Sequence, residues 1–159
     1  SYIEDEVFCN DRSISSGSGY LITPTTNYGS FKRLYDKRLP SLGCIQDNDK
    51  FKVSNVSAKL DYPISLITAD EVSMAGGVWN TSNSNYYLYN GQNFWTLSPS
   101  NFASYYSSAC VWTVTVSGKL VDWNSVPNFF WTRPVINIKA DTLITKGDGT
   151  ALNPYVVKI

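Results

Sequence analysis

The chain has 159 residues, a length that predicts one domain with a substantial buried core. Its 13 acidic and 13 basic residues balance, so nothing in the net charge favours nucleic acid or an anionic membrane surface as a partner. No apolar run approaches the roughly 20 residues that span a bilayer, and residues 1–6 lack the pattern of a signal peptide. Any targeting or anchoring segment is therefore expected to lie outside this sequence or to have been removed.

Charged residues are sparse at 16%, whereas aromatic residues reach 14% and Asn, Ser and Thr are plentiful. This balance is common in secreted and cell-surface domains that are rich in β-structure. We therefore expect an extracellular or cell-surface location.

Three cysteines leave one thiol over if a disulfide forms. Cys9 and Cys44 stand beside polar, turn-like sequence, whereas Cys110 lies in the apolar run ACVW. We predict a disulfide between Cys9 and Cys44, and we predict that Cys110 is a buried free thiol that packs like a small hydrophobic residue. Three reduced thiols in a cytosolic protein remain the alternative. The chain has neither His nor a Cys-x-x-Cys spacing, so no metal site is expected.

The first third of the chain gives few firm signals. Residues 2–8 (YIEDEVF) fit a short helix or a strand, and the sequence does not decide between them. Residues 9–27 are rich in Ser and Gly and predict a surface loop or a meander held by the disulfide. Residues 31–39 (FKRLYDKRL) place apolar residues at helical spacing and predict a short amphipathic helix that ends at Pro40.

The best-specified local structure is a helix over residues 69–75. Thr68 and Glu71 have the spacing of a capping box, in which each side chain accepts a hydrogen bond from a backbone N–H at the helix start. Asp70 lies in the first turn, where the helix dipole favours a negative charge. The pair at residues 76–77, Gly-Gly, predicts a left-handed end to the helix.

Residues 51–56 alternate between apolar and polar side chains and predict an edge strand. Further short strands are predicted at residues 64–67, 109–116, 136–138 and 154–157. The pairs Asn90-Gly91 and Ser117-Gly118 predict tight turns. Asp148 lies between two glycines and also predicts a turn, because a calcium loop needs several converging oxygens.

Three predicted loops, residues 79–87, 101–106 and 122–130, combine aromatic rings with amide side chains. Such rings stack on the apolar faces of sugars, and amides donate and accept hydrogen bonds with hydroxyls. The candidate ligand-binding residues are Trp79, Asn85, Tyr86, Tyr87, Tyr105, Tyr106, Trp123, Asn124 and Asn128. We expect three other tryptophans to lie in the core, because each is on or next to a predicted strand: Trp95, Trp112 and Trp131. The sequence does not decide whether Trp79 and Trp123 are exposed or buried.

Arg133 precedes Pro134 and the strand at residues 136–138. We expect its side chain to turn inward and pair with Asp70 or Glu71, which would tie the capped helix to the sheet. An exposed, anion-binding Arg133 is the alternative.

Several motifs occur together and in order: LITADE at residues 66–71, FWTLSP at 94–99, VWTV at 111–114 before Ser117-Gly118, RPVINI at 133–138, and GDG at 147–149 followed by NPY at 153–155. As a set they resemble a module of surface-exposed and prepilin-type proteins of Gram-positive bacteria. More distantly, the pattern is similar to bacterial domains of the C-type-lectin-like fold, including formylglycine-generating-enzyme relatives and the variable binding proteins of diversity-generating systems.

The resemblance implies an α+β fold in which two short helices lie around a small, twisted antiparallel sheet with long surface loops. It covers residues 61–159 as a lectin-like core module, and residues 1–60 are then a disulfide-tied N-terminal part of the same domain, 1–159. The enzymatic branch of that fold uses a pair of reactive cysteines, and only Cys110 is available here. The tripeptides at residues 122–124 (DWN) and 126–128 (VPN) do not have the order and spacing of calcium-lectin motifs, so calcium-dependent sugar binding is not expected.

Catalysis by a Ser- or Cys-based triad needs a base, usually His, which this chain lacks. The neighbouring carboxylates Asp70 and Glu71 are already explained by helix capping. We therefore predict a non-catalytic, adhesin-like binding domain without a cofactor, which recognises a glycan or a protein through its aromatic and Asn-rich loops. The alternative is the globular head of a type IV pilin-like subunit, whose loops would contact identical subunits.

Overall fold

The computed structural model describes residues 2–19, 24–103, 108–150 and 152–158. Its strands are β1 (Ile3–Glu4), β2 (Phe8–Cys9), β3 (Ile14–Ser16), β4 (Thr26–Tyr28), β5 (Lys50–Phe51), β6 (Ser65–Leu66), β7 (Phe94–Ala103), β8 (Ser108–Val114), β9 (Leu120–Ser125), β10 (Pro134–Val135), β11 (Asn137–Ile138), β12 (Ile144–Lys146) and β13 (Val156–Val157). The helices are α1 (Gly29–Phe31), continued by a π-helix (Lys32–Lys37), and α2 (Ala69–Met74), with 3₁₀ turns at Asp47–Asp49 and Val56–Ala58.

Within the described residues, five antiparallel strands form the main sheet in the order β3-β4-β7-β8-β9. The longest pair, β7 and β8, runs from the pairing of Phe94 with Val114 to that of Ala103 with Ser108. The described residues also form four two-stranded antiparallel ladders: β1-β11, β2-β5, β6-β10 and β12-β13. The predicted α+β class is confirmed, with strands in the majority.

The first helix was predicted over residues 31–39 and is present from Gly29 to Lys37. Its second half is a π-helix, and it ends at Arg38, which adopts the left-handed conformation with φ 54°. Leu34 is buried, and the rings of Phe31 and Tyr35 stack with centroids 4.6 Å apart.

The second helix has the predicted capping box. The N–H of Glu71 donates to the hydroxyl of Thr68 at 3.1 Å, and the N–H of Thr68 donates to the Glu71 carboxylate at 2.8 Å. After the helix, Gly76 has φ +119°, which a side chain would disfavour. The N–H of Ala69 donates to the Ser98 hydroxyl at 3.0 Å and so joins the helix start to β7.

Trp112 lies at the centre of the core between the sheet and α2. Its ring is fully buried, and its Nε1 donates to the hydroxyl of Ser30 at 3.0 Å, so the polar atom of the indole is satisfied. The core prediction is right for Trp112 and holds in part for Trp95, which is half-buried. It is wrong for Trp131, which lies beyond the edge of β7 with its side chain mostly in solvent.

The predicted disulfide Cys9–Cys44 is confirmed and lies within the N-terminal part, and Cys110 is free and buried. The strand predicted over residues 51–56 is too long. It is limited to Lys50–Phe51, because the chain turns at Val53, whose N–H donates to the carboxylate of Asp5 at 2.8 Å.

Among the described residues, no helix has both the length and the apolar character needed to cross a bilayer. Two of the candidate ligand-binding residues, Tyr105 and Tyr106, lie outside the residues that the structure describes.

Candidate binding surface

A short segment, residues 126–131 and called the strap below, crosses one face of the main sheet. At its start, the N–H of Val126 donates to the carbonyl of Ala109 in β8 at 3.0 Å. At its end, the N–H of Trp95 in β7 donates to the carbonyl of Trp131 at 3.0 Å. One side of β7 is already paired with β8, so Trp131 lies along the other side. The strap therefore passes over the sheet and is held at both ends.

The strap begins with a turn at residues 126–128, whose side chains are exposed, and its last three side chains alternate between the solvent and the sheet. Phe129 is 100% exposed and Trp131 is 66% exposed. Between them, the ring of Phe130 packs on the ring of Trp95 with centroids 4.9 Å apart. The strap thus presents the side chains of Phe129 and Trp131 to the solvent, while the ring of Phe130 anchors the segment on the sheet.

A shallow depression of about 230 Å³ lies beside the strap and is lined by Leu66, Trp95, Thr96, Val111 and Val126. The one hydroxyl in this set, that of Thr96, donates to the backbone carbonyl of Trp112 at 2.7 Å. Because that hydroxyl is engaged inward, the depression presents mainly carbon to the solvent.

The strap carries no charged residue, and the nearest charges in sequence are turned away. Asp122 is buried, and Arg133 lies over the ring of Phe94, 4.8 Å from its centroid, while it donates to the carbonyl of Leu88. The predicted pairing of Arg133 with Asp70 or Glu71 is therefore wrong. The contacts of Arg133 are instead the ring of Phe94 and the carbonyl of Leu88.

Two of the predicted ligand-binding residues in the loop before β7 belong to the packed interior. Tyr86 is buried in the core, and its hydroxyl donates to the carbonyl of Gly118 at 3.3 Å. Trp79 is half-buried, and its Nε1 donates to Asp122 Oδ1 at 2.8 Å. These rings support the loop and are not open to a ligand.

The other residues of that loop face solvent. Tyr87 is 81% exposed, and Asn85 is exposed with no side-chain hydrogen bond among the described residues. The N–H of Asn83 donates to the carbonyl of Ser117 at 3.2 Å, so the loop packs on the turn between β8 and β9.

The region predicted as a loop over residues 122–130 is in fact the end of β9 followed by the strap. Trp123 is 52% exposed on this edge strand. Asn124 is half-buried, and its amide donates to the hydroxyl of Thr113 at 2.5 Å. Asn128 is exposed, and its side chain makes no hydrogen bond among the described residues.

The predicted ligand-binding residues therefore do not form one cluster. Tyr87 belongs to a loop at the turn that leads into β9, whereas Asn128 follows the other end of that strand. At ~3.4 Å per residue, the strand keeps these ends about 17 Å apart. Sequence reasoning listed Asn128 but omitted Phe129 and misplaced Trp131, because three consecutive aromatic residues do not indicate which rings face the sheet.

A polar cleft of about 190 Å³ lies under the disulfide-tied loop, with Asp11, Arg33, Ser41, Asp70 and Glu71 among its lining residues. The carboxylate of Asp70 accepts from Arg33 Nε and Nη2 at 3.0 and 2.8 Å, and from the N–H of Ser41 at 2.8 Å. The charges of the cleft are thus used to hold its walls together. No group of three or more acidic or Cys side chains in the described ranges is arranged to hold a metal ion.

Two ionisable groups of the cleft, Asp11 and Arg33, are stabilised in their charged forms. Burial acts to raise the pKa of Asp11, but hydrogen bonds from Ser13 and Arg33 outweigh it and hold that pKa below its usual value. The hydrogen bond to Asp70 raises the pKa of Arg33, with Asp11 adding to the effect against burial. Neither group is placed to exchange a proton near neutral pH.

Asp122 and Cys110 behave in the opposite way. Burial raises the pKa of the Asp122 carboxyl, and the hydrogen bond from Trp79 offsets only part of that effect. Burial also raises the pKa of the Cys110 thiol, which disfavours the nucleophilic thiolate.

Comparisons with models of known protein families, with curated proteins and with solved structures find no match to this chain. Its function is therefore inferred from the residues and contacts described above.

Proposed function

We propose that the chain is a non-catalytic binding domain of a cell-surface or secreted bacterial protein, and that it contacts its ligand through the strap and the exposed amides and rings near it. The C-type-lectin-like fold and the membership of a Gram-positive surface or prepilin-type module are part of this proposal, because the motif resemblance implies them. The observation that carries the proposal is the full exposure of Phe129 on a segment that the sheet holds at both ends.

Single exposed apolar side chains are common and need no explanation. The strap differs because Phe129 and Trp131 point outward together beside an apolar depression. Burial of one such side chain contributes a free energy of about 1.5–3 kcal/mol. The free domain lacks this contribution, and a ligand that covers the side chain would supply it. Because the strap is anchored at both ends by backbone hydrogen bonds, its backbone loses little freedom on binding.

The chemistry of the remaining groups supports binding in preference to catalysis. The chain has no His. Asp11, Asp70 and Glu71 are engaged in bonds that fix the fold, and the free thiol of Cys110 is buried. A reacting centre would need a poised base or nucleophile that is open to a substrate.

The disulfide between Cys9 and Cys44 supports the extracellular location, because such bonds persist in oxidising compartments.

A pilin-like head is the competing function, since Phe129 and Trp131 would equally fit a contact between subunits. Sedimentation of the domain over a range of concentrations separates the two. Self-association that Phe129→Ala abolishes would favour assembly, and a monomer would favour ligand binding.

The proposal is tested by applying the purified domain to an array of bacterial and host glycans and of surface proteins. We expect selective binding to at least one component, weakened by Phe129→Ala or Tyr87→Ala. Val56→Ala is the matched control, because Val56 is an exposed apolar residue on a 3₁₀ turn of the N-terminal part. Absence of selective binding across the array, or binding that none of the exposed rings affects, would contradict the proposal.

A further inference from the structure

We propose that the ligand of the strap is a neutral oligosaccharide, whose sugar rings stack on Phe129 and Trp131 and whose hydroxyls bond to Asn128. This inference rests on the proposed binding function and specifies both its site and the chemistry of its ligand.

The two exposed rings have the geometry of a stacking platform. Phe129 and Trp131 are two residues apart and both exposed, and the ring between them packs inward, so we expect the two rings on the outer side of the strap about 7 Å apart. Phe130 projects to the other side and packs on Trp95, which fixes the segment between them. Successive sugar units of one chain can therefore each meet an aromatic face.

Asn128 supplies the polar contact that a sugar needs. Its exposed amide holds both donors and an acceptor, and it makes no hydrogen bond among the described residues. Its backbone is fixed, because its N–H donates to the carbonyl of Ser125 at 3.0 Å. The amide is thus held next to Phe129 with its bonding capacity unused.

Charge decides against ionic ligands. The strap has no charged side chain, and of the charged residues nearest to it in sequence Asp122 is buried and Arg133 is engaged with Phe94 and Leu88. An anionic or cationic ligand would lose hydration at this surface without gaining a partner of opposite charge. A neutral ligand pays no such cost.

The open shape of the surface favours a ring with two different faces. The depression beside the strap is shallow and lined mainly by carbon, so a ligand lying on it keeps its other side in water. A wholly apolar ligand would leave hydrophobic area exposed in that position. A sugar ring offers an apolar face to the aromatics and hydroxyls to the solvent.

The test measures binding of the intact domain to soluble hexasaccharides of β-linked glucose, β-linked mannose and N-acetylglucosamine. The deacetylated glucosamine hexasaccharide and a galacturonate hexasaccharide form the charged arm. Deacetylation keeps the ring and linkage and adds positive charge, so it isolates the effect of charge. Thermal unfolding and near-UV circular dichroism of each variant check that the fold is kept.

We expect at least one neutral hexasaccharide to bind, and Phe129→Ala and Trp131→Ala each to weaken that binding about tenfold or more. Phe129→Tyr should retain it, because the ring is kept, and Val56→Ala should leave it unchanged.

Three results would overturn the inference while the binding function stands. They are binding of charged hexasaccharides alone, binding of a protein from the array without any neutral sugar, and sugar binding that depends on Tyr87 but not on the strap. Failure to bind any glycan or protein would remove the binding function itself.

Discussion

The guanidinium of Arg33 binds the carboxylate of Asp70 at two points, with Nε 3.0 Å from Oδ1 and Nη2 2.8 Å from Oδ2. Arg33 also bonds to Asp11, so one side chain joins the first helix, the disulfide-tied loop and the start of α2. Asp70 is buried, and removal of its partner would leave a carboxylate that water cannot solvate.

Replacement of Arg33 is therefore expected to destabilise the domain strongly. For Arg33→Met we expect a loss of about 3 kcal/mol in the free energy of unfolding, measured by urea titration, because Asp70 loses its counter-charge. Arg133→Met is the matched control and should cost about 1 kcal/mol, the scale of the contact between its guanidinium and Phe94. A larger loss for Arg133→Met than for Arg33→Met would mean that the roles of the two arginines have been assigned in reverse.

The disulfide closes a loop between residues 35 positions apart. In the chain-entropy model this is worth roughly 3–4 kcal/mol, so the double variant Cys9→Ser, Cys44→Ser should lose about that much stability in urea unfolding. Cys110 should react with a thiol reagent only after the domain unfolds, because it is buried. Rapid labelling of Cys110 in the native protein would contradict its placement in the core.

Gly118 and Gly91 form a matched pair, with φ +73° and +70°. A Cβ on Gly118 would lie 1.7 Å from the carbonyl oxygen of Asn83, whereas a Cβ on Gly91 meets only the Tyr89 hydroxyl at 3.8 Å. Both alanine variants carry a backbone strain of about 1 kcal/mol, and Gly118→Ala should lose a further 1–3 kcal/mol or so because the loop must move off the turn. Equal melting temperatures for the two variants would rule out this close packing.

Asp122 should give the domain an unusual pH dependence. Burial raises the pKa of its carboxyl in the folded state above the unfolded value, so its ionised form opposes folding. Its penalty is present near neutral pH and is relieved as pH falls through the folded pKa toward about 3.9, the ordinary value for Asp. The stability of Asp122→Asn relative to wild type should therefore be most favourable at about pH 7 and decline toward about pH 4.

Asp11→Asn provides the control of opposite sign. Hydrogen bonds from Ser13 and Arg33 outweigh burial and hold the pKa of Asp11 below its unfolded value, so its stabilising effect is present above about pH 4 and is lost in more acidic solution. Urea unfolding of both variants from about pH 7 to about pH 2 measures the two trends. A constant difference between Asp122→Asn and wild type would show that Asp122 does not titrate there.

The features that could be predicted from sequence depend on neighbours in the chain. The capping box needs only Thr68 and Glu71 three residues apart, and the end of α2 needs only Gly76. The disulfide was predicted from the contrast between polar and apolar surroundings of the three cysteines. Each of these signals is local, so tertiary packing does not overrule it.

The errors concern residues whose partners are distant in the chain. Sequence offered Arg133 as the partner of Asp70 because it precedes a strand, but Arg33 comes close to Asp70 through the packing of α1 against the sheet. Trp131 resembled a core residue because it neighbours a strand, yet the strap passes over the sheet and turns this ring outward. The hydrophobic periodicity of a sequence does not by itself indicate which side chains of such a segment face the sheet and which face the solvent.

The most direct measurement of the central claim is amide chemical-shift mapping of the ¹⁵N-labelled domain during titration with the neutral hexasaccharides. The account predicts that the largest shifts fall on residues 126–131 and on the first half of β7, around Trp95, and that the cleft at Arg33 and Asp70 is silent. Shifts concentrated in that cleft, or in the loop that carries Tyr87, with an undisturbed strap would contradict it.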